Sequence, residues 1–171
     1  MKHNKGMNKG FTLVEVIIVV GVIGIMAAIA VPAIMSWMPN IRQKAAAREL
    51  FADLQRAKME AIKRNAPAVV VITPAASCAV TGGSYSMFID DGAGLGVAGN
   101  KTLDGGEQNF VQQAMPQEVS LCFESGPAVQ TVGFRPTGLP LNAVNPTIKL
   151  ISTKGRSSQV TLTTAGGIRI E

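Results

Sequence analysis

One carboxylate stands at the start of a long apolar segment, where an ion pair would be shielded from water. Glu15 is followed by a stretch without charged residues, from Val16 to Ile41. A charged side chain at membrane depth raises the free energy by about 2.5 kcal/mol or more and is normally paired with an opposite charge. Two opposite charges attract strongly in a medium of low dielectric constant, whereas each charge alone is poorly solvated there. Glu15 is therefore predicted to need a cationic partner.

Residues that commonly perform catalysis are scarce in this chain. The single histidine, His3, lies at the very start, so a hydrolytic triad built on histidine is not predicted. Gly94, Gly96 and Gly99 have the spacing of a dinucleotide-binding fingerprint. No strand–helix pattern surrounds them, and a loop is the simpler interpretation. The sequence predicts neither enzyme activity nor a cofactor.

Four acidic residues gather around the same glycine-rich segment. They are Asp90, Asp91, Asp104 and Glu107, and their oxygen atoms are suitable calcium ligands. Their spacing differs from that of a calcium-binding loop, and Asp and Gly are frequent in ordinary turns. We therefore expect turn chemistry and predict no metal site, with calcium binding as the alternative.

The chain has two cysteines, Cys78 and Cys122. Both follow the apolar segment and are expected outside the cytoplasm, where disulfides persist. We expect one disulfide, worth about 4 kcal/mol in the chain-entropy model, with two buried thiols as the alternative. Their wide spacing lacks the Cys-x-x-Cys arrangement of redox and zinc sites.

The apolar segment has the length of a membrane-spanning helix. Val16–Met35 contains about 20 apolar or small residues, which at a rise of about 1.5 Å each cross a hydrocarbon core about 30 Å thick. Residues 1–10 carry lysines and no acidic residue, so this end is predicted to be cytoplasmic and the remainder to lie outside. Pro32 is predicted to kink the helix. Two alternatives are a signal peptide cut within its alanine-rich part, and a plain anchor whose Glu15 reaches the headgroups.

A second, amphipathic helical segment follows Pro39. Whether the helix is continuous across Pro39 does not follow from the sequence. Its charged side chains are expected to form a solvated face, with intersubunit salt bridges or an anionic partner as the alternatives. Asn65-Ala66-Pro67 is predicted to end the helix. Apolar residues at spacings of three and four predict the face toward a core, namely Ala47, Leu50, Phe51, Leu54, Ala57, Ala61 and Ile62.

The remaining residues read as strands separated by turns rich in Gly, Pro, Ser and Asn. They are long enough to bury one core, and no second globular domain is predicted. We predict strands at Ala68–Thr73, Ser84–Ile89, Val119–Phe123, Val129–Phe134, Thr147–Ser152, Gln159–Thr164 and Gly167–Ile170.

The amino-terminal motif Lys9-Gly10-Phe11-Thr12-Leu13-Val14-Glu15 resembles the processing signal of type IV pilins and type II secretion pseudopilins. The resemblance implies cleavage by a prepilin peptidase after Gly10 and N-methylation of Phe11. It also implies that Glu15 pairs with the terminal amine of a neighbouring subunit, which would supply its cationic partner. Pro32 matches the position of a helix-bending proline in pilins.

Three further motifs resemble the GspH/FimT-like minor pseudopilins. They are Met87-Phe88-Ile89-Asp90 with its glycine-rich loop, the segment Val132-Gly133-Phe134-Arg135-Pro136-Thr137-Gly138, and the closing Ala165-Gly166-Gly167-Ile168-Arg169-Ile170. The resemblance implies an α+β fold in which a long amino-terminal helix, with its hydrophobic half transmembrane, packs on a carboxyl-terminal antiparallel β-sandwich. The expected organisation is a leader at 1–10, a helix at 11–66 (11–35 transmembrane, 41–65 amphipathic) and a periplasmic β domain at 67–171.

The expected function is that of a minor pilin or pseudopilin, a structural filament subunit for type II secretion or a type IV pilus. A plain membrane-anchored periplasmic binding domain is an alternative. Its expected partners are the prepilin peptidase, other pilins of the same filament and the bacterial inner membrane, crossed once with the amino terminus in the cytoplasm.

DNA binding is an alternative, because some members of this family bind DNA. Arg156 and Arg169 are the candidate contacts. DNA-binding members place two arginines around the closing Gly-x-Arg element, whereas this chain supplies only Arg169. Removal of the leader would also lower the formal net charge from +5 to +2, since 13 basic residues then face 11 acidic ones, so DNA binding is disfavoured.

Overall fold

A computed structural model describes residues 10–123, 126, 128–142 and 147–171. Most of the leader predicted at 1–10 lies outside the described residues. The chain divides into two compact units, with the boundary in the sequence between Met38 and Pro39. The second unit extends to Glu171 and so contains the amphipathic half of the helix together with the strands.

One helix, α1, runs from Leu13 to Arg64. It continues through Pro39, although proline cannot donate a helical hydrogen bond. The helix ends in a Schellman motif: Asn65 has a φ of 51°, its N–H donates to Ile62 O, and the N–H of Ala66 donates to Ala61 O. The predicted end of the helix is confirmed, and the kink at Pro32 stays a prediction.

Eight strands form two antiparallel four-stranded sheets, with the orders β3-β2-β1-β5 and β4-β6-β7-β8. This arrangement confirms the predicted α+β fold, with the second half of α1 against antiparallel sheets. The strands are β1 Ala68–Pro74, β2 Gly83–Ile89, β3 Asn109–Ala114, β4 Val119–Phe123, β5 Gln130–Phe134, β6 Thr147–Ser152, β7 Ser157–Leu162 and β8 Ile168–Ile170.

The core joins α1 to both sheets. Leu50 and Leu54 of α1 are fully buried together with Ile72 and Tyr85 of the first sheet and Leu150 of the second. The predicted stripe is also confirmed for its alanines, since Ala47, Ala57 and Ala61 are buried, whereas Phe51 is only half-buried. It is wrong for Ile62, which is 51% exposed, because this position lies at the edge of the face that α1 buries.

Polar contacts fix the helix on the two sheets. The Gln43 amide donates to Leu150 O at 3.0 Å, and the Tyr85 hydroxyl donates to the Asp53 carboxylate at 2.8 Å. Arg42 forms an ion pair with Glu118 at 2.8 Å. The pKa of Tyr85 is raised well above its usual range, mainly by burial and secondly by the hydrogen bond from the Tyr85 hydroxyl to Asp53.

One strand was missed and one is displaced, while the other six agree with their predicted bounds to within one residue. β3 was not predicted: its sequence is polar, and it is an edge strand that pairs only with β2, so its apolar alternation is weak. β7 begins and ends two residues earlier than predicted, at Ser157 and Leu162. Its buried residues Val160 and Leu162 face the core, and the chain turns at Thr163.

Two of the family-like motifs meet at one point on α1. Gly138 and Gly166 both have a φ of +78°, and a Cβ on Gly166 would collide with Gly138 O. The Lys58 ammonium donates to Gly166 O at 2.9 Å. The turns after β5 and β7 therefore pack on each other and on Lys58, which explains why glycine is needed at both positions.

A disulfide between Cys78 and Cys122 joins the β1–β2 connection to β4. Backbone bonds reinforce this crossing, since the N–H of Gly82 donates to Val119 O and the N–H of Leu121 donates to Gly82 O, both at 2.9 Å. The connection between two strands of the first sheet is thus tied to the second sheet.

Candidate processing and assembly site

The predicted cleavage site lies immediately before the start of α1. Gly10 and Phe11 are non-helical and exposed. Thr12 is the N-cap: its hydroxyl accepts from the N–H of Glu15 at 3.2 Å, and its carbonyl accepts from the N–H of Val16 at the same distance. This capping role was not predicted, although the Thr-x-x-Glu spacing of a capping box is present in the sequence.

Glu15 lies in the first turn of α1, where the positive end of the helix dipole favours a carboxylate. Among the residues that the structure describes, no lysine or arginine forms an ion pair with it. A groove of about 230 Å³ runs past it, lined also by Phe11, Val16, Val19 and Val20. Glu15 is thus a single carboxylate in an apolar groove, beside the residue that cleavage would make the amino terminus.

The first half of α1 exposes its apolar side chains on all sides. Phe11 is 83% exposed and Ile29 is 72% exposed. In the described part of the chain, α1 is a helix long enough and apolar enough to cross a membrane, judged by length and composition. Such a surface requires lipid or other apolar helices around it.

The acidic residues after β2 are occupied by backbone groups. Buried Asp90 accepts hydrogen bonds from the N–H groups of Gly99, at 2.6 Å, and Lys101, at 2.7 Å. Asp91 accepts from the N–H of Ala93 at 3.1 Å, which is an Asx-turn contact. Both carboxylates therefore shape the loop between β2 and β3.

The other two acidic residues have the same role. Glu107 accepts from the N–H of Gly92 at 2.9 Å and from the N–H of Asp104 at 3.3 Å. Asp104 accepts from the N–H of Val97 at 3.1 Å. Over the described residues, no group of three or more His, Cys, Asp or Glu side chains is arranged to hold a metal ion. Turn chemistry accounts for these carboxylates.

Arg156 and Arg169 are not brought together. Arg169 pairs with Thr161 across β7 and β8, whereas Arg156 precedes the first residue of β7. Thr161 lies five positions after Arg156 along extended chain, a distance of about 17 Å. The two candidate DNA contacts thus lie at different ends of the second sheet.

Family models match both parts of the chain. The model described as "Type II transport protein GspH" matches residues 46–166, and the "Prokaryotic N-terminal methylation motif" matches residues 5–31. The first match covers most of the chain and includes the sheets. The chain therefore belongs to the GspH family, whose members are structural subunits and not enzymes.

Similarities to individual proteins support the same family. The chain is 30% identical to the pilin-like protein PilA1 of Thermus thermophilus, over 95% of this chain and 98% of the relative. Its fold is similar to that of the type IV minor pilin FimU of Pseudomonas aeruginosa, at 19% identity and a TM-score of 0.53, covering 77% of this chain and 90% of FimU. It is also similar to the minor pseudopilin EpsH from the type 2 secretion system of Vibrio cholerae, at 17% identity and a TM-score of 0.51, covering 76% and 96% of the two chains. The protein is therefore of the minor pilin and pseudopilin class.

Proposed function

We propose that the chain is the precursor of a minor filament subunit that a prepilin peptidase cuts between Gly10 and Phe11. The new terminus at Phe11 is then methylated. The mature protein crosses the bacterial inner membrane once through the first half of α1, with the unit Pro39–Glu171 in the periplasm. It assembles with other pilins into a filament that serves either type II secretion or a type IV pilus.

The observation that carries this proposal is the position of Glu15. Its carboxylate lies in an apolar groove in the first turn of an otherwise exposed apolar helix. The free energy of such a charge falls when a cation approaches in a medium of low dielectric constant. The amine on Phe11 of a neighbouring subunit would be that cation, and the pairing would set the axial position of one helix against the next.

Processing is tested first, by intact mass and amino-terminal peptide analysis of the protein from its native envelope. We expect a mature chain that begins with methylated Phe11. An intact leader in the presence of an active prepilin peptidase, or cleavage within the alanine-rich part of the helix, would contradict the proposal.

Assembly is tested with Glu15→Gln, which keeps the shape of the side chain and removes its charge. We expect membrane insertion and leader removal to persist, while the amount of subunit in sheared filaments or crosslinked assemblies falls at least about tenfold, a change of about 1.4 kcal/mol. Glu15→Asp is the matched control, because it keeps the charge and should retain part of the assembly. Equal assembly of the Gln variant and the wild type would show that Glu15 is only a tolerated anchor residue.

A further inference from the structure

One end of the second compact unit is assembled around the start of its helical part. The Ser152 hydroxyl donates to the side-chain oxygen of Asn40 at 2.8 Å, and the N–H of Arg156 donates to the same hydroxyl at 3.1 Å. The N–H of Thr153 donates to Glu118 O at 2.9 Å. The turn between β6 and β7 therefore lies beside Asn40. We call this end of the unit the basal surface: residues 40–44, Glu118 and residues 153–156.

The basal surface follows closely on the segment that can cross a membrane. Asn40 comes five positions after Met35, the last residue of the predicted span, and α1 is helical throughout this stretch. At a rise of about 1.5 Å per residue, Asn40 lies about 7.5 Å beyond the hydrocarbon, and a headgroup layer is about 5–8 Å thick. Helical side chains incline toward the amino-terminal end of their helix, so Lys44, one turn further along, inclines toward the membrane. The basal surface is therefore close to the lipid headgroups when α1 spans a membrane.

The charged side chains of the basal surface are mostly basic. Lys44, Lys154 and Arg156 are exposed, and none of the ion pairs formed among the described residues includes them. Arg42 is paired with Glu118, which compensates the carboxylate at this end. The basal surface thus has four basic residues and one acidic residue, a net charge of +3.

The next acidic residues along the chain do not cancel this charge. Glu171 exchanges two backbone hydrogen bonds with Gln159, which lies three positions, about 10 Å, beyond Arg156. Glu49 lies further along α1, next to the basic Arg48. With Arg48, Glu49 and Glu171 included, five basic residues face three acidic ones, a net charge of +2.

An uncharged connection borders the basal surface. The N–H of Gly82 donates to Val119 O at 2.9 Å, so the connection between β1 and β2 lies beside the residue that follows Glu118. Residues 75–82 carry no charge, and Val80 among them is half exposed. Basic side chains next to an uncharged and partly apolar segment suit the headgroup layer, where phosphate groups adjoin acyl chains. A nucleic acid in water offers only the phosphates.

We propose that the basal surface binds the phosphate groups of anionic phospholipids in the periplasmic leaflet of the membrane that α1 crosses. The inference rests on the proposed function, because it requires α1 to span the membrane with this unit in the periplasm. Lys44, Lys154 and Arg156 are the contacts. Each basic residue near an anionic surface strengthens binding about fivefold, which corresponds to about 1 kcal/mol. Loss of the two basic residues of the turn should therefore lower the ratio of bound to free states about 25-fold.

The test uses the full-length chain in lipid nanodiscs that contain a lipid with a nitroxide quencher on its headgroup. Thr153→Cys carries a fluorescent label at the basal surface, and Thr164→Cys carries the same label in the turn at the other end of β7. Both threonines are exposed, and the native cysteines are joined in a disulfide. We expect strong quenching at position 153 in discs with phosphatidylglycerol, weak quenching there in discs of phosphatidylcholine, and weak quenching at position 164 in both.

Charge variants are then compared in the discs with phosphatidylglycerol. Lys154→Gln together with Arg156→Gln should lower the ratio of bound to free states at position 153 about 25-fold. The matched control is Lys63→Gln together with Arg64→Gln, which removes the same charge at the other end of α1, about 35 Å along the helix from Asn40. This control should leave the quenching unchanged.

Equal quenching at position 153 in the two kinds of disc, or equal effects of the two double variants, would overturn the inference. Duplex DNA that changes the emission at position 153 in phosphatidylcholine discs as much as phosphatidylglycerol does would assign the surface to nucleic acid and would also overturn it. If the label is quenched in neither disc, while the chain is still processed and its assembly depends on Glu15, the inference fails and the proposed function stands. If the chain does not insert into membranes, both fail.

Discussion

Removal of the disulfide between Cys78 and Cys122 should lower the free energy of unfolding by about 4 kcal/mol. The bond closes a chain segment with a sequence separation of 44 residues. In the chain-entropy model, a loop of this length reduces the entropy of the unfolded chain by about 13 cal/mol/K, which corresponds to about 4 kcal/mol at 25 °C. The backbone bonds between Gly82 and β4 remain in the variant, so the native fold is expected to persist.

The assay is pulse proteolysis of the full-length chain in detergent micelles across a urea series, which yields the midpoint of unfolding and its free energy. The variant carries both Cys78→Ala and Cys122→Ala, because a single substitution would leave a free thiol. The wild type treated with a reductant is the second sample, and it should lose the same stability without any change in side chains.

Two controls separate the crosslink from local packing. Ser120→Ala removes a hydrogen bond to Ser77 O near the disulfide and should lower the free energy of unfolding by only about 1 kcal/mol. If the double variant and the reduced wild type both lose less than about 1 kcal/mol, the argument from loop closure is refuted. A large loss in the double variant alone would assign the effect to packing of the buried Cys122.

Two further predictions concern Tyr85, which contacts α1, and Gly166, which packs against the turn at Gly138. Tyr85 is the only tyrosine in the chain, and burial chiefly raises its pKa in the folded protein. In the unfolded chain the side chain ionises near pH about 10. The stabilising contribution of Tyr85 is therefore complete below that pH and declines as the pH rises further. Urea unfolding at several alkaline pH values should show this decline, and Tyr85→Phe should remove most of it. A tyrosinate absorbance that appears at the usual pH while the protein is still folded would contradict the reasoning. Gly166→Ala should lower the free energy of unfolding more than Gly155→Ala. Both glycines have positive φ, which costs about 1–2 kcal/mol for alanine at either position. Only the Cβ at position 166 would also collide with another residue, at Gly138 O. Equal losses in the two variants, measured by thermal unfolding, would show that the turn relaxes to admit the methyl group.

The elements that could be predicted from the sequence are those in which the type and spacing of the residues directly reflect their burial. Leu50 and Leu54 repeat at helical spacing because they face one core, and β4 is apolar at four of its five positions, all but Ser120, because it is buried throughout. β3 was missed because an edge strand with one partner needs few apolar residues. Its half-buried Phe110 and Val111 alone do not distinguish a strand from a loop.

The contacts between distant segments were not predictable. Tyr85 and Asp53 are ordinary residues in the sequence, and only the packing of α1 on the first sheet brings them within 2.8 Å. The same holds for the glycines of the two turns, whose motifs were recognisable but whose mutual contact depends on both sheets. The N-cap at Thr12 is different, because its signal was local and readable.

The position of the N-cap bears on the order of events during maturation. Because Thr12 begins the hydrogen-bond ladder, the peptide bond between Gly10 and Phe11 lies in non-helical chain just before it. A peptidase acting there would not have to unwind α1, and the cut would leave the described ladder intact. Under the proposed function, the helix would thus be complete before the leader is removed, and the cut would change the charge at the terminus without refolding α1.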